Sequence, residues 1–421
     1  MTDLAHEYGD IVTFKVPGER FLLLNHPDQI RDLLVTHNKL FKKGRGLERT
    51  TMLLGNGMLT SEGEFHLRQR RLAAPAFHRD RIAAYGDVMS AFARRHAEGW
   101  HDGTMRDMAK DMMRLTLAIA GKTLFDADVE NEAAEIGEAL ESVFDAWSLA
   151  LLPLGHLLIH LPIPAARRFK KAKARLDATI YRMIAERRAA PGDRGDLLSM
   201  LIDATDTEGD GSGMSDVQLR DECMTIFLAG HETTANALTW TWYLLSQHPE
   251  VEATLHEEVD RVLGGRAATA ADLPRLPYTR MVLSESMRLY PPVYAIGRRA
   301  LTPYEVGDYR VPVRTVVLAS QYLVHRDPRW WSEPERFNPE RWREGSGEPR
   351  HRHAYFPFSA GTRVCIGEQF AWMEGILVIA ELARQWRFRH DPTHTVGLAP
   401  QITLRPSHGM RMRFEQRRPR P

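Results

Sequence analysis

Cysteine is scarce in this 421-residue sequence, since Cys223 and Cys365 are the two that it contains and they lie far apart. A fold organised by disulfides is therefore excluded, and a reducing, cytoplasmic environment is expected. An excess of charge of one sign is also missing, because 56 Lys and Arg residues stand against 55 Asp and Glu residues. Nucleic acid is consequently not an expected partner. The N-terminus has no basic stretch followed by an apolar one, so no signal peptide is predicted.

Long apolar runs are missing as well. The longest, Leu149–Ile163, is interrupted by two prolines and two histidines. It is shorter than the stretch of about 20 apolar residues that a membrane-spanning helix needs. We therefore expect a buried or pocket-lining segment and not an integral membrane protein. No internal repeat or long linker divides the chain either, which favours one domain over residues 1–421.

The hydrophobic patterning predicts a mainly α fold with a smaller β region. We expect β-rich parts at approximately residues 10–40, 293–325 and 385–415, and an α-rich body at approximately residues 62–290. The longest helix should begin at Ser215, which forms a possible capping box with Gln218, and end before Pro249. The predicted helices are Arg81–Trp100, Thr104–Leu124, Glu130–Ala150, Ala165–Ala190, Ser215–Gln247, Pro249–Leu263 and Pro277–Leu289, with a last one beginning near Gly367.

The most informative segment surrounds the second cysteine. Phe358, Gly361, Arg363, Cys365 and Gly367 follow the order F-x-x-G-x-R-x-C-x-G and lead directly into a helical pattern. A cysteine just before a helix start receives backbone N–H groups and the positive end of the helix dipole, which stabilise a thiolate. The glycines allow tight turns and a close approach of the backbone to a flat cofactor. A lone cysteine is usually structural, but the four further matched positions favour a metal ligand.

These residues resemble the cysteine signature of the cytochrome P450 family. Ser359 stands where many members have glycine. The resemblance implies a bound haem b with Cys365 as the axial ligand of its iron. The haem would lie between the long central helix and the helix that follows the cysteine. Phe358 would then cover the sulfur, and Arg363 would reach an anionic group at the cofactor edge.

Ala229–Thr234, with the sequence AGHETT, resembles the oxygen-binding motif of the same family. Gly230 would leave room for dioxygen, and the Thr233 hydroxyl could bond the carbonyl four residues back and open a local pocket. The resemblance assigns Thr233 and Glu232 to proton delivery. The same His-Glu pair begins the H-E-x-x-H motif of zinc hydrolases. Ala235 occupies the place of the second histidine, which excludes a zinc site of this type.

Glu285 and Arg288 lie one helical turn apart, a spacing that by itself mostly indicates a solvated pair. Together with Arg341 they resemble the Glu-Arg-Arg network of the family. An overlapping copy of the arginine segment offers Arg336 instead, but the aromatic-x-Pro prefix favours Arg341. We expect this network to hold the cysteine loop and to take no part in the chemistry.

A further segment resembles the helix that contacts the haem propionates. It contributes His66 and Arg70, and Arg298 and Arg363 are the other expected contacts. Arg299 is left open as an alternative to Arg298. Each arginine alone could be a solvated charge, whereas four basic residues converging on two carboxylates would form a cofactor site.

The resemblance implies a monooxygenase that activates O2 and inserts one oxygen atom into a lipophilic small molecule, such as a fatty acid, terpenoid or carotenoid. No flavin or nicotinamide fingerprint is present, so NAD(P)H electrons would arrive through a ferredoxin and its reductase. We expect a monomer. A peroxide-using haem-thiolate enzyme and a non-enzymatic haem gas sensor are the alternatives. Family position suggests that the substrate pocket is lined by Gly44–Leu59, Leu149–Ile163, Ile226–Phe227, Val293–Ile296 and Leu398–Ile402.

Overall fold

The computed structural model describes residues 1–127, 161, 163–190, 192–206, 209, 211–346 and 351–417. The predicted helix Glu130–Ala150 and all but two residues of the predicted pocket segment Leu149–Ile163 lie outside these ranges. No helix among the described residues is both long enough and apolar enough to cross a membrane.

Helices form most of the regular structure, as the patterning predicts. Two predicted helices are confirmed at both of their ends, Pro249–Leu263 and Pro277–Leu289. The helices are α1 Thr2–Tyr8, α2 Pro27–Arg31, α3 Arg45–Leu54, α4 Gly63–Ala73, α5 Arg79–Glu98, α6 Met108–Phe125, α7 Pro164–Ala189, α8 Leu197–Asp203, α9 Asp216–Gln247, α10 Pro249–Leu263, α11 Pro277–Leu289, α12 Gln321–Val324 and α13 Glu368–Ala383.

Helix α9, called the central helix below, runs through the middle of the larger hydrophobic core. Ser215 caps its start as predicted, because its Oγ accepts from the Gln218 N–H at 3.3 Å while the Gln218 side chain accepts from the Ser215 N–H at 2.8 Å. Apolar residues such as Leu219, Leu238 and Trp240 are buried on different sides of it, as expected of a helix enclosed by protein. It packs against α6, α7, α11 and α13, which makes it the wall on which a buried site can be built.

The strands form small sheets beside this helical body. Five of them pair in the order β1-β2-β8-β5-β3, three in the order β4-β12-β9, and the rest form the hairpins β6-β7 and β10-β11. The strands are β1 Ile11–Val16, β2 Glu19–Leu24, β3 Phe41–Lys43, β4 Thr104–Asp107, β5 Ile296–Ala300, β6 Tyr304–Val306, β7 Tyr309–Val311, β8 Val316–Ala319, β9 Trp386–His390, β10 Leu398–Pro400, β11 Leu404–Pro406 and β12 Arg411–Gln416.

The prediction of one helix over Thr104–Leu124 is wrong at its start. Its first four residues form β4, which pairs antiparallel with β12, and helix α6 begins only at Met108. Gly103 turns the chain with a φ of 76°. The Asp107 side chain then accepts from the Ala109 N–H at 3.1 Å and caps the helix. Pairing with a strand from the other end of the chain is a long-range contact, which local periodicity does not reveal.

Candidate active site

The second cysteine lies in a loop that ends at the start of helix α13. The Cys365 N–H donates to the Phe358 carbonyl at 3.0 Å, which folds the intervening residues into a closed turn. Gly367 is the residue that caps α13. A Cβ atom on Gly367 would lie 4.0 Å from the Cys365 sulfur. The sulfur therefore sits against the first turn of the helix, where backbone N–H groups point outward.

The Cys365 side chain is accessible, and yet the protein atoms around it desolvate the thiol. This desolvation raises the pKa of Cys365, while the Gly367 N–H and the Arg70 guanidinium lower it. The other cysteine, Cys223, is buried and its pKa is raised strongly by burial. Of the two, Cys365 is the one placed to bind a ligand.

Two residues of the loop adopt backbone conformations that favour glycine. Gly361 has a φ of 70°, and a Cβ atom there would meet the Leu34 carbonyl oxygen at 2.1 Å. Ser359, with a φ of 68°, is in the same left-handed region without being glycine. The loop is thus packed tightly against the segment around Leu34. This contact leaves no room for a side chain at position 361 and explains the first glycine of the sequence signature.

The basic residues predicted to hold an anionic cofactor edge come from three separate parts of the chain and meet beside this loop. Arg70 on α4 donates to the Val364 carbonyl at 2.8 Å. His66, one turn earlier on the same helix, is buried, and its Nδ1 lies 3.0 Å from the Met58 carbonyl. Arg363 pairs with Glu62, just before α4. Strand β5 brings Arg298 to the same cluster.

The structure adds a fifth member, Lys43, which no sequence motif predicts. The register of β3 and β5 places Lys43 directly opposite Arg298. Its side chain is 5% exposed and its Nζ donates to the Met58 carbonyl at 2.9 Å. Alternating burial in β3 is the signal that could have identified it, but three residues are too short a strand for periodicity to show.

This cluster has the electrostatics of a site for an anion. Burial, together with the nearby Arg363 guanidinium, lowers the pKa of Lys43 to about 7 and that of His66 to about 4. Burial and Arg363 likewise lower the pKa of Arg298 to about 10. The buried His66 Nε2 has no hydrogen-bond partner among the described residues. Buried basic groups that repel one another fit a group carrying two carboxylates, as the haem propionates do.

Arg298 and Arg299 point to opposite sides of β5, as neighbours in a strand must. Arg299 is paired with Glu19 and Glu48, each at 2.9 Å. Arg298 is 7% exposed and donates to the Gly297 carbonyl at 3.1 Å. The geometry therefore favours Arg298 over Arg299 as the contact of an anionic cofactor.

The middle of the central helix has one accessible patch in an otherwise enclosed stretch. Ala229 is exposed and Gly230 and Thr233 are half-buried. The intervening His231 and Glu232 are buried. The Thr233 Oγ donates to the Ala229 carbonyl at 2.7 Å, and the helix continues without a break. A Cβ atom on Gly230 would make one ordinary contact, 3.7 Å from Leu124. Packing within the protein therefore does not require this glycine, and space for a ligand is the remaining reason for it.

Glu232 points away from this patch toward the hairpin β10-β11. Thr403 donates to its Oε1 at 2.5 Å, and the Arg405 guanidinium lies 2.7 Å from the same oxygen. Burial raises the pKa of Glu232, while Arg405 and Thr403 lower it. The structure thus brings Thr233 and Glu232 to adjacent positions of one helix but to different sides of it. The sequence does not predict the contacts of Thr403 and Arg405 with Glu232, because a hairpin that contacts a distant helix has no local sequence pattern.

Glu285 is the centre of a buried network. It accepts from Arg288 and Arg341 through their Nε atoms, both at 2.9 Å, and from the Trp342 indole N–H at 2.9 Å. Arg288 is completely buried and also donates to the carbonyl of Arg336. The Arg336 side chain instead pairs with the exposed Glu333. The structure therefore selects Arg341 over Arg336 as the third member.

Comparisons with known proteins agree with this arrangement. A family model described as Cytochrome P450 matches residues 1–410. Cyclooctatin synthase of Streptomyces melanosporofaciens is 42% identical over 94% of this chain and 87% of the relative. Cyclooctat-9-en-7-ol 5-monooxygenase of the same organism is 39% identical over 92% of this chain and 84% of the relative. Pentalenene oxygenase of Streptomyces avermitilis is 33% identical over 98% of this chain and 91% of the relative.

The fold, the cysteine loop and these relatives all indicate the same protein family. The family model covers the accessible patch of the central helix, the basic cluster and Cys365 in one match. A mainly α fold with small sheets, a haem cofactor and the use of O2 follow from that membership. This chain belongs to the cytochrome P450 family and is a haem-thiolate monooxygenase.

Proposed function

We propose that this enzyme hydroxylates a lipophilic terpenoid and that the Cys365 thiolate would bind its haem iron. The observation that carries the proposal is the position of Cys365, accessible and desolvated at the start of α13 beside a buried basic cluster. When bound, a thiolate-ligated haem supplies the chemistry of dioxygen activation, because the thiolate donates electron density that favours O–O cleavage. The names of the terpenoid-oxidising relatives support the choice of substrate class.

The chain's own residues would bind and orient the cofactor. Arg298, Arg363, His66 and Arg70 would hold the propionates, and Lys43 would add a fifth contact from β3. Gly361 and Gly367 would allow the loop to approach the cofactor, and Phe358 would shield the sulfur from water. The Phe358 ring packs at a tilt against the Trp372 ring, with 5.6 Å between ring centroids, which restrains its orientation.

Proton supply would use the acid and the alcohol of the central helix. Thr233 borders the accessible patch and would hold a proton at its Oγ, while Gly230 leaves space beside it. Glu232 would bring protons from the side of the β10-β11 hairpin, where it is buried and hydrogen-bonded. Burial raises the pKa of this carboxyl group, which favours its protonated form as a proton donor.

Electrons would come from NAD(P)H through a ferredoxin and its reductase, and an acidic ferredoxin would dock by charge complementarity with basic residues on the side of the protein that carries Cys365. A rate of reduction that does not change with salt concentration would contradict this docking. We further propose that the chain acts as one domain and as a monomer. The unpaired state of both cysteines supports a cytoplasmic location.

The decisive experiment is the absorption spectrum of the reduced, CO-bound protein. The wild type should show the strongly red-shifted Soret band of thiolate ligation. Cys365→Ala should abolish this band, and Cys223→Ala, which changes the buried cysteine of the central helix, should keep it. A histidine-like band in the wild type would overturn the assignment.

The reaction and the substrate class need two further measurements. NADH-dependent O2 consumption with an added ferredoxin and reductase supports a monooxygenase, whereas activity with peroxide alone indicates a peroxide-using enzyme. The absence of both would indicate a gas sensor. Terpenoid hydrocarbons, their alcohols and fatty acids should then be screened by the spin-state shift of the haem. A shift with fatty acids but with no terpenoid would overturn the proposed substrate class.

A further inference from the structure

His325 is a completely buried histidine for which the mechanism above has no use. It directly follows helix α12, and its own N–H donates to the Gln321 carbonyl at 2.9 Å. The imidazole Nε2 accepts from the Phe356 N–H at 3.0 Å. The side chain is therefore bonded to a segment 31 positions away, which leads into the cysteine loop.

The backbone of the same residue is bonded to the buried network around Glu285. The His325 carbonyl accepts from Arg288 Nη1 at 2.7 Å, and the Nε and Nη2 atoms of Arg288 donate to the Glu285 carboxylate at 2.9 Å. The neighbouring Tyr355 adds a second contact, because its hydroxyl donates to the Ser284 carbonyl at 3.1 Å and its ring lies 5.0 Å from the His325 ring between centroids. One residue thus contacts the network with its carbonyl and the loop segment with its ring.

Two further backbone bonds extend this connection to the cysteine. The Phe356 carbonyl accepts from the Ser359 N–H at 3.0 Å, and the Phe358 carbonyl accepts from the Cys365 N–H at 3.0 Å. The Phe356 ring is buried and packs edge-on against the His325 ring, with 5.3 Å between centroids. The position of Phe356 therefore determines where the turn that contains Cys365 begins.

The bond to the loop segment requires a neutral imidazole, since a ring nitrogen that carries a proton cannot accept. Burial and the guanidinium groups of Arg288 and Arg326 lower the pKa of His325 well below its usual range, and the carbonyls of Met287 and Arg288 raise it only in part. The ring is consequently neutral at pH 7 and its Nε2 is available as an acceptor.

We propose that His325 is a positioning residue: its ring holds the Phe356 N–H and thereby fixes the cysteine loop to the buried network of Glu285 and Arg288. The inference rests on the proposed function, since the position of the loop matters to the haem only if Cys365 binds its iron. Without this acceptor a buried backbone N–H would be left unpaired, and the loop could relieve that cost only by shifting.

The test follows the red-shifted band of the reduced, CO-bound holoenzyme as it is lost in mild urea. His325→Gln keeps a side-chain acceptor and should lose the band within about twofold of the wild-type rate, whereas His325→Met should lose it about tenfold faster. The control is Asp107→Leu, which removes the side-chain acceptor of the Ala109 and Met410 N–H groups in another part of the fold. Its rate should stay within about twofold of wild type. Equal rates for the two His325 variants, or an equal acceleration in Asp107→Leu, overturn the proposal.

Amide hydrogen exchange of the wild-type holoenzyme tests the Phe356 N–H directly. Bonded to a buried ring, it should exchange at least about 100-fold more slowly than an unstructured amide, and unprotected exchange overturns the proposal. If His325→Met does not retain haem, this measurement decides together with the rate of His325→Gln. Every variant that retains haem should begin with the red-shifted band. A wild type without that band indicates failure of the haem-thiolate assignment, which is distinct from failure of this inference.

Discussion

Arg405 of the C-terminal hairpin and Glu232 of the central helix form an ion pair, with 2.7 Å between Arg405 Nη2 and Glu232 Oε1. Glu232 is almost completely buried. Burial raises the pKa of this carboxyl group, and the guanidinium opposes that shift. The hairpin therefore acts on the protonation of the acid that we propose for proton delivery, although 173 positions separate the two residues.

Replacing this arginine should destabilise the protein. Arg405→Gln leaves the Glu232 carboxyl buried without its counter-charge, which we expect to lower the free energy of unfolding by about 3 kcal/mol at pH 7. Arg411→Gln is the control, because Arg411 pairs with Asp391 while 58% of its side chain is exposed; that change should cost less than about 1 kcal/mol. Urea unfolding of both haem-loaded variants measures the difference, and equal losses would contradict a buried ion pair.

Lys43 should contribute to haem affinity. Lys43→Met removes a buried cation from the cluster around Arg298, and we expect haem to bind about 30-fold more weakly, equivalent to about 2 kcal/mol. The neighbouring Lys42 is 37% exposed and pairs with Glu48, so Lys42→Met should leave the affinity within about twofold. The transfer of haem to an acceptor protein of higher affinity measures both. If Lys43→Met retains haem as well as the wild type does, Lys43 makes no contribution to the haem site.

Glu285 should be among the residues most sensitive to replacement. It is completely buried and accepts from two guanidinium groups, an indole and the Asn338 N–H. Glu285→Gln leaves both buried arginines without a counter-charge and should cost about 3–5 kcal/mol, with loss of haem on purification. Glu335→Gln changes a carboxylate that is 73% exposed and should change stability by less than about 0.5 kcal/mol. A stable, haem-loaded Glu285→Gln variant would contradict this role for the network.

Much of this architecture could be predicted from the sequence because the signals are local. The Ser215 capping box and the prolines at 249 and 277 mark helix ends through the conformations that they impose on neighbouring residues. The backbone conformation at Gly361 is local too, because its φ of 70° favours glycine, whereas its close contact with the Leu34 carbonyl is long-range. Such features depend on a few consecutive residues, which a sequence displays directly.

The parts that could not be predicted depend on contacts between distant segments. The hairpin residue Thr403 reaches Glu232, Lys43 faces Arg298 across two strands, and Asp107 ends a strand that pairs with the C-terminal one. None of these pairs has a periodicity or spacing of its own. Their partners are chosen by tertiary packing, so a single sequence contains the residues but not the pairings.

Asp272 should make stability depend on pH in the acid range. Hydrogen bonds from Arg266 lower the pKa of Asp272 from 3.8 to about 2. A lowered pKa in the folded state adds stability that is present above pH 3.8 and is lost as the pH falls through 2. Asp272→Asn should therefore be less stable at pH 7 and should lose less on acidification to pH 2. Asp308→Asn, at an exposed position, should follow the wild-type profile in urea unfolding across this range.

Ser359 offers a stabilising replacement in the cysteine loop. Its φ of 68° lies in the left-handed region, and its buried hydroxyl has no hydrogen-bond partner among the described residues. Ser359→Gly removes both costs and should raise the free energy of unfolding by about 1 kcal/mol, because glycine adopts this conformation without strain. Gly361→Ala should act in the opposite direction in the same loop, since its new Cβ would meet the Leu34 carbonyl oxygen at 2.1 Å. Thermal unfolding of the two haem-loaded variants compares them directly. A destabilised Ser359→Gly would mean that the serine hydroxyl contributes more to the loop than its backbone conformation costs.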